Sequence, residues 1–104
     1  MIALHLGLWK MIKSKKLRES ARGQDCTLRL VGVCNFNPET TILAHIGRSR
    51  GMGQKCNDTM AIFCCSSCHA EIDGVNRFNY GQDKLDALEE TQNYWINQGL
   101  LNAK

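Results

Sequence analysis

The feature that most narrows what this chain can fold into is Cys65-Ser-Ser-Cys68-His69, a paired-cysteine knuckle with a histidine directly behind it, in a chain of 104 residues with six cysteines. A chain of this length makes one domain and buries a limited apolar core, so a cross-link or a bound metal adds stability that packing alone supplies poorly. The compartment decides between the two. A secretory leader places charge first, then an apolar run, then small residues. Here the order is reversed: Met1 to Trp9 is apolar, and Lys10, Lys13, Lys15 and Lys16 follow. The apolar run is also far below the ~20 residues needed to cross a bilayer. The reading is a cytoplasmic protein without membrane association, whose reduced thiols favour zinc over disulfides.

A CxxC knuckle offers two thiolates to one tetrahedral zinc, and a structural zinc wants four ligands. Cys26 and Cys34, at the two ends of Cys26-Thr-Leu-Arg-Leu-Val-Gly-Val-Cys34, are the second pair, on a short β-hairpin or a knuckle. Cys64 ends an apolar run and reads as a buried thiol. Cys56 follows a glycine-rich loop and competes as a ligand, ranked below Cys26 and Cys34. Three other chemistries use the same knuckle. Haem attachment at CxxCH normally follows export and leaves Cys26 and Cys34 without a task. A redox CxxC sits at a helix start beside a βαβ unit, which this pattern lacks. A zinc ribbon that binds DNA or protein without cutting stays open.

Along the chain, residues 1–16 read as an N-terminal extension, either disordered or a misassigned start, because Met11 opens a second plausible beginning. The other reading of that segment is a short amphipathic helix packing Leu6, Trp9 and Ile12. His5 falls there and has no role. The domain proper is 17–104. Residues 13–23 are basic and helix-tolerant up to Gly23, and Asn35-Phe-Asn-Pro-Glu is a turn. Thr40 to Ile46 and Thr59 to Cys64 are β-branched and apolar enough for two strands. A short helix follows Cys65 and stops at Gly74. A last helix is capped by Asp83, carries Leu85, Leu88 and Trp95 on one face with Ile96 beside it, and ends at Gly99.

His45 closes the first strand and His69 follows the knuckle at a helix start, the pairing a ββα-metal nuclease requires. A strand histidine takes a proton from water so that hydroxide attacks phosphorus, and a metal held partly from the helix neutralises the developing charge. Asp73 lies one turn beyond His69 on the same helix face, placed to join the metal shell or to orient the histidine. Taken singly, each residue has a plainer explanation: His45 as a hydrogen-bonded strand end, Asp58 as a turn cap, Asp73 as a helix end beside Gly74.

At these positions the chain resembles the HNH endonucleases, whose pattern is a histidine after an apolar strand, an asparagine, and a CxxCH knuckle. Ala21-Arg-Gly-Gln-Asp-Cys26, Gly32-Val-Cys34-Asn, Asn37-Pro-Glu-Thr40, Leu43-Ala-His45-Ile and Cys65-Ser-Ser-Cys68-His69-Ala-Glu-Ile-Asp73 are similar to the YbcO family, small nucleases carried by prophages, over about residues 17–100. The resemblance implies an α+β, ββα-metal, HNH-like domain stabilised by zinc, with an additional C-terminal helix. It implies metal-dependent endonucleolytic hydrolysis of DNA. Two positions depart from the HNH pattern. Ala44 stands where many of these enzymes carry an acidic ligand, and Met60 stands at the usual asparagine. Asn57 and Asp58 are the nearest substitutes, and Asp58 is the chosen ligand.

The expected assignments are therefore His45 as general base, and His69 with Asp58 holding a catalytic Mg²⁺ or Mn²⁺, Asp73 joining them. Cys26, Cys34, Cys65 and Cys68 are expected on structural zinc. Residues 1–57 carry ten Lys/Arg against three acids, and residues 58–104 three against seven. The basic half suits a polyanion through phosphate contacts, and Arg48, Arg50 and Lys55 are the expected phosphate contacts on DNA. A solvated basic loop explains the same residues.

Overall fold

The computed structural model describes residues 13–47 and 57–101. The chain is α+β: helix α1 (Lys15–Glu19), strands β1 (Ile42–His45) and β2 (Ala61–Cys64), helix α2 (Ser66–Asp73) and helix α3 (Gly81–Asn97). Among the described residues no helix is long and apolar enough to cross a membrane.

β1 and β2 form an antiparallel pair in which Ile42 faces Cys64, Leu43 faces Phe63, Ala44 faces Ile62 and His45 faces Ala61. Both strands are shorter than the apolar runs that announce them. Pro38–Thr40 takes a 3-10 turn, with the Asn37 side chain accepting from the Glu39 N–H, and this delays β1. Every residue of β2 is buried, and side chains along a strand alternate between faces. Ile62 and Cys64 enter one core with Leu28, Leu30, Ala44, Ile72, Ala87 and the cysteines of the knuckle. Phe63 enters a second core with Leu17, Ala21 and Trp95. The hairpin is thus covered on both sides.

A buried strand edge must have its main-chain groups satisfied. On the edge of β2 away from β1, the Phe63 carbonyl accepts from the Thr27 N–H at 2.8 Å and the Thr27 hydroxyl at 2.7 Å. The Phe63 N–H donates to Thr91 Oγ1 at 3.3 Å. Two threonines from distant segments close the edge that a third strand would otherwise take.

The expected boundary at residue 17 falls inside α1. Ser14 is the N-cap, its hydroxyl accepting from the Leu17 N–H, and Leu17 and Ala21, one turn apart, are both buried. Residues 13–16 therefore belong to the folded unit. Residues 1–12, with His5, Leu6, Trp9 and Ile12, lie outside the described residues.

α3 differs from its expected register. It starts at Gly81 after Tyr80, which makes no side-chain cap, and Asp83 sits within the first turn instead of capping it. Its buried residues are Ala87, Thr91 and Trp95, spaced by four, with Leu88 half-buried. Leu85 and Ile96 are exposed. A small alanine and a threonine form the close-approach face because α3 crosses the edge of β2, where Thr91 must reach a main-chain amide. The C-terminus is as expected: Gly99 adopts φ +74, its N–H donates to Ile96 O at 3.1 Å, and the Leu100 N–H donates to Trp95 O at 2.9 Å. That paired pattern satisfies the last carbonyls of the helix and places Leu100 on the second core.

Candidate metal centre and active site

The segment 26–34 forms a knuckle without strand pairing of its own. Its turns close through Val33 N–H and Cys34 N–H to Leu30 O at 3.1 and 2.9 Å. Arg29 (φ +47) and Gly32 (φ +76) are in the left-handed region, and no strand accommodates two such residues. The knuckle brings Cys26 and Cys34 to Cys65 and Cys68. The four sulfurs lie within 4.8 Å of one another, and among the described residues they are the group of three or more candidate ligands that closes on one point. Cys34 Sγ and Cys65 Sγ are 3.8 Å apart.

Each sulfur also receives main-chain N–H groups. The Arg29 N–H donates to Cys26 Sγ at 3.5 Å and the Cys68 N–H to Cys65 Sγ at 3.3 Å. Amides of Phe36 and Leu30 are directed at Cys34 and Cys68. Arg29 and Phe36 (φ +54), whose amides face Cys26 and Cys34, are also the two non-glycine residues with positive φ among those described. Such donors suit thiolates that share charge with a cation. Cys65 is at the same time the N-cap of α2, at the positive end of the helix dipole.

Cys64 is fully buried and lies outside the quartet. Its hydrogen bond to Cys26 and its burial push its thiol far up, so it stays protonated. The same bond is the main cause that holds Cys26 down, to about 4, against burial and with help from main-chain amides. Burial raises Cys34 and Cys68. Cys56 lies outside the described residues.

His45, at the end of β1, places Nε2 2.8 Å from Asp58 Oδ1. Asp58 precedes β2 and is 5 % exposed. Its Oδ2 accepts the Ser14 N–H at 2.6 Å and lies 3.5 Å from Arg18 Nε. Burial works to raise this carboxyl, but the hydrogen bonds from His45 and Ser14 and the charges of His45 and Arg18 outweigh it and hold it below the usual carboxylate range. His69, in the second turn of α2, pairs through Nε2 with Asp73 Oδ2 at 3.0 Å, the i,i+4 contact anticipated from spacing. The structure thus groups the expected site residues as two His–Asp pairs. His69, Asp58 and Asp73 do not form a group of three ligands. Ala44 is buried in the first core, so the position before His45 faces inward. Arg48, Arg50 and Lys55 lie outside the described residues.

Three residues with structural roles at the site were given no role from the sequence. Ser14 and Arg18 approach Asp58 from 44 and 40 residues away in sequence. Asn35 joins the knuckle to α2: its Nδ2 lies 3.2 Å from the hydroxyls of Thr40, Ser66 and Ser67, and its Oδ1 accepts the Asn37 N–H at 2.8 Å. An asparagine directly after a cysteine, ahead of an Asn-Pro turn, was the available signal.

Fold and site together define a class: a small α+β domain in which the 26–34 knuckle and the start of the helix after a hairpin bring four cysteines together in metal-binding geometry, with one His–Asp pair at the hairpin and another on that helix. The family model described as "Putative nuclease YbcO" matches residues 15–100, and the chain belongs to the YbcO family. A relative of that name from Escherichia coli (strain K12) is 42% identical over 93 residues, covering 84% of this chain and 97% of its own length. A relative from Enterobacteria phage 82, also named "Putative nuclease ybcO", matches with the same identity and coverage. A solved structure of "a putative bacteriophage protein" from Escherichia coli K-12 MG1655 aligns with TM-score 0.65 at 39% identity, covering 81% of this chain and all of that one.

Proposed function

We propose that the chain is a metal-dependent DNA endonuclease of the HNH type, with His45 as general base and a structural zinc on Cys26, Cys34, Cys65 and Cys68. The observation that carries the reading is the succession along β1, β2 and α2: a histidine at the strand end held against a buried carboxylate, then a cysteine-launched helix presenting a second histidine–carboxylate pair. The nuclease names of the relatives support nucleic acid as substrate.

The quartet fits zinc. Bonds of about 2.3 Å to a tetrahedral ion put neighbouring sulfurs about 3.8 Å apart, which is the Cys34–Cys65 separation. Zinc there supplies folding energy and no chemistry. At the second pair, His69 and Asp73 are the residues that would hold a Mg²⁺ or Mn²⁺, whose chemistry when bound is to neutralise charge on the phosphate and the leaving oxygen. Asp58, expected beside His69, is committed to His45 instead. With Nε2–H directed at Asp58, Nδ1 is the basic nitrogen of a neutral imidazole. It takes a proton from water, the hydroxide oxygen bonds to phosphorus, and the phosphorus–oxygen bond to the leaving sugar breaks, that oxygen being protonated from solvent. The Asp58 carboxylate stabilises the resulting imidazolium.

Purified protein is expected to cut plasmid or branched DNA in the presence of Mn²⁺, and His45→Ala to lose about 10²-fold or more, the range for a general base. An equal rate in the variant would refute the mechanism. A second reading, a zinc module that binds DNA or a protein without cutting, draws on the fact that only the cysteines close into a ligand group among the described residues. Intact DNA bound by a folded, zinc-loaded sample would favour it.

A further inference from the structure

His45 is held by Asp58, and Asp58 is held in turn from the N-terminal helix. One carboxylate oxygen faces the imidazole at 2.8 Å. The other accepts the main-chain N–H of Ser14, the N-cap of α1, at 2.6 Å and lies 3.5 Å from Arg18 Nε. The carboxylate is nearly sealed from solvent, and a buried charge keeps one position only when its hydrogen bonds fix it. α1 is otherwise a poor investment: it has five residues, with buried anchors only at Leu17 and, just past its end, Ala21. Its first turn is nevertheless aimed at the one buried carboxylate beside the strand-end histidine.

We propose that α1 is a positioning element of the active site: Ser14 and Arg18 fix the Asp58 carboxylate, and Asp58 fixes the proton of His45 on Nε2, leaving Nδ1 as the base. This rests on the reading of His45 as general base. An ionised carboxylate only accepts hydrogen bonds, so a carboxylate locked at Nε2 selects the tautomer with a proton there. An amide in its place presents a donor as well and releases that selection, and a histidine in the wrong tautomer cannot take the proton from water. Ser14 acts one step back, through the hydrogen bond that keeps the carboxylate from rotating away, and Arg18, whose Nε donates to the Ser14 carbonyl at 3.4 Å, acts on the carboxylate through its charge. In this arrangement Ser14 and Arg18 of α1 serve to position the site, while Lys13, Lys15 and Lys16 stay exposed.

The test uses the full chain with its zinc, labelled with ¹⁵N at histidine. Long-range ¹H–¹⁵N correlation reads the His45 tautomer without DNA, and plasmid cleavage with Mn²⁺ is followed on the same samples. The parent is expected to show the Nε2–H form. Asp58→Asn is expected to populate the Nδ1–H form and lower kcat by about 10²-fold or more, with KM within about twofold. Arg18→Gln is expected to shift the tautomer part-way and lower kcat about threefold to tenfold, and Arg18→Lys to recover most of both. Dispersed amide spectra confirm that each variant is folded. A parent in the Nδ1–H form, or an Arg18→Gln protein with parental tautomer and kcat, overturns the proposal while leaving the nuclease reading intact if the parent cuts. A tautomer that shifts as expected in a parent that does not cut overturns the nuclease reading, and the catalytic role of α1 with it.

Discussion

Asp58 concentrates at one residue much of what links stability to the site. Its folded pKa is depressed, because hydrogen bonds and the charges of His45 and Arg18 outweigh its burial. The stability it contributes is therefore fully present above the unfolded value of about 3.9 and is lost as pH falls through the lower folded value. Asp58→Asn is expected to be less stable than the parent at pH 7, and the gap in urea midpoint should close as pH drops below about 4. A gap that stayed constant down to pH 2 would mean that the carboxylate is not held ionised in the fold. Phe36 gives a test of the opposite sign. It is 72% exposed, adopts φ +54 and directs its amide at Cys34. A left-handed conformation costs a non-glycine residue about 1–2 kcal/mol, and glycine's greater unfolded-state freedom offsets about 0.5–1 of that. Phe36→Gly is expected to stabilise by up to about 1 kcal/mol in denaturant unfolding, with metal affinity retained. At this scale Cys65 and Cys68 were legible from the sequence because a zinc knuckle has a spacing, and Cys26 and Cys34 because a four-ligand ion needs a second pair. The partner of Asp58 was not, because a contact with Ser14 across 44 residues leaves no periodicity to read.

At the scale of elements, strands and caps follow local chemistry, whereas the face of a helix follows its neighbours. Ile42–His45 and Ala61–Cys64 lie inside the apolar, β-branched runs that announce them, and Gly74 and Gly99 follow the last residues of α2 and the C-cap of α3. Leu85, Leu88 and Trp95 satisfy a helical stripe as well as Ala87, Thr91 and Trp95 do, and hydrophobicity favours the former. The decision lies with the open edge of β2, where the Phe63 amide needs an acceptor and finds Thr91 Oγ1. Thr91→Val keeps the shape and removes that acceptor, leaving a buried N–H unsatisfied at a cost of about 1–3 kcal/mol. Leu85→Ala, on the exposed side, should cost only the ~0.5 kcal/mol typical of surface changes. Equal losses in chemical denaturation would place α3 in the other register. Gly99→Ala, forced to φ +74, is expected to lose about 1 kcal/mol in the same assay.

For the molecule as a whole, the question is whether its two cores stand or fall together. One holds the cysteine quartet with Leu28, Leu30, Ile62 and Ile72; the other holds Leu17, Ala21, Phe63 and Trp95 and contains no candidate metal ligand. β2 belongs to both, since Ile62 and Cys64 point into the first and Phe63 into the second. Thr27, in the knuckle, and Thr91, in α3, meet on the Phe63 main chain. Phe63 in turn sets its ring edge-on against Trp95, with centroids 6.0 Å apart. A structural metal of this type contributes on the order of 10 kcal/mol to folding, comparable to the entire stability of a small domain. Removing it should therefore not stop at the knuckle. In a Trp9→Phe background, so that Trp95 is the single tryptophan, a strong chelator at pH 7 is expected to red-shift the emission of Trp95 in one transition with the loss of far-ultraviolet helix signal, and added zinc to restore both. Cys65→Ser should show the chelated spectrum without chelator. Were Trp95 to keep its buried emission while the thiols became reactive, the α1–β2–α3 core would be an independent unit, and the metal would serve only to shape the knuckle and the start of α2. The shared strand argues for the first outcome, because the Phe63 carbonyl that Thr27 caps and the Phe63 ring that Trp95 covers belong to one residue.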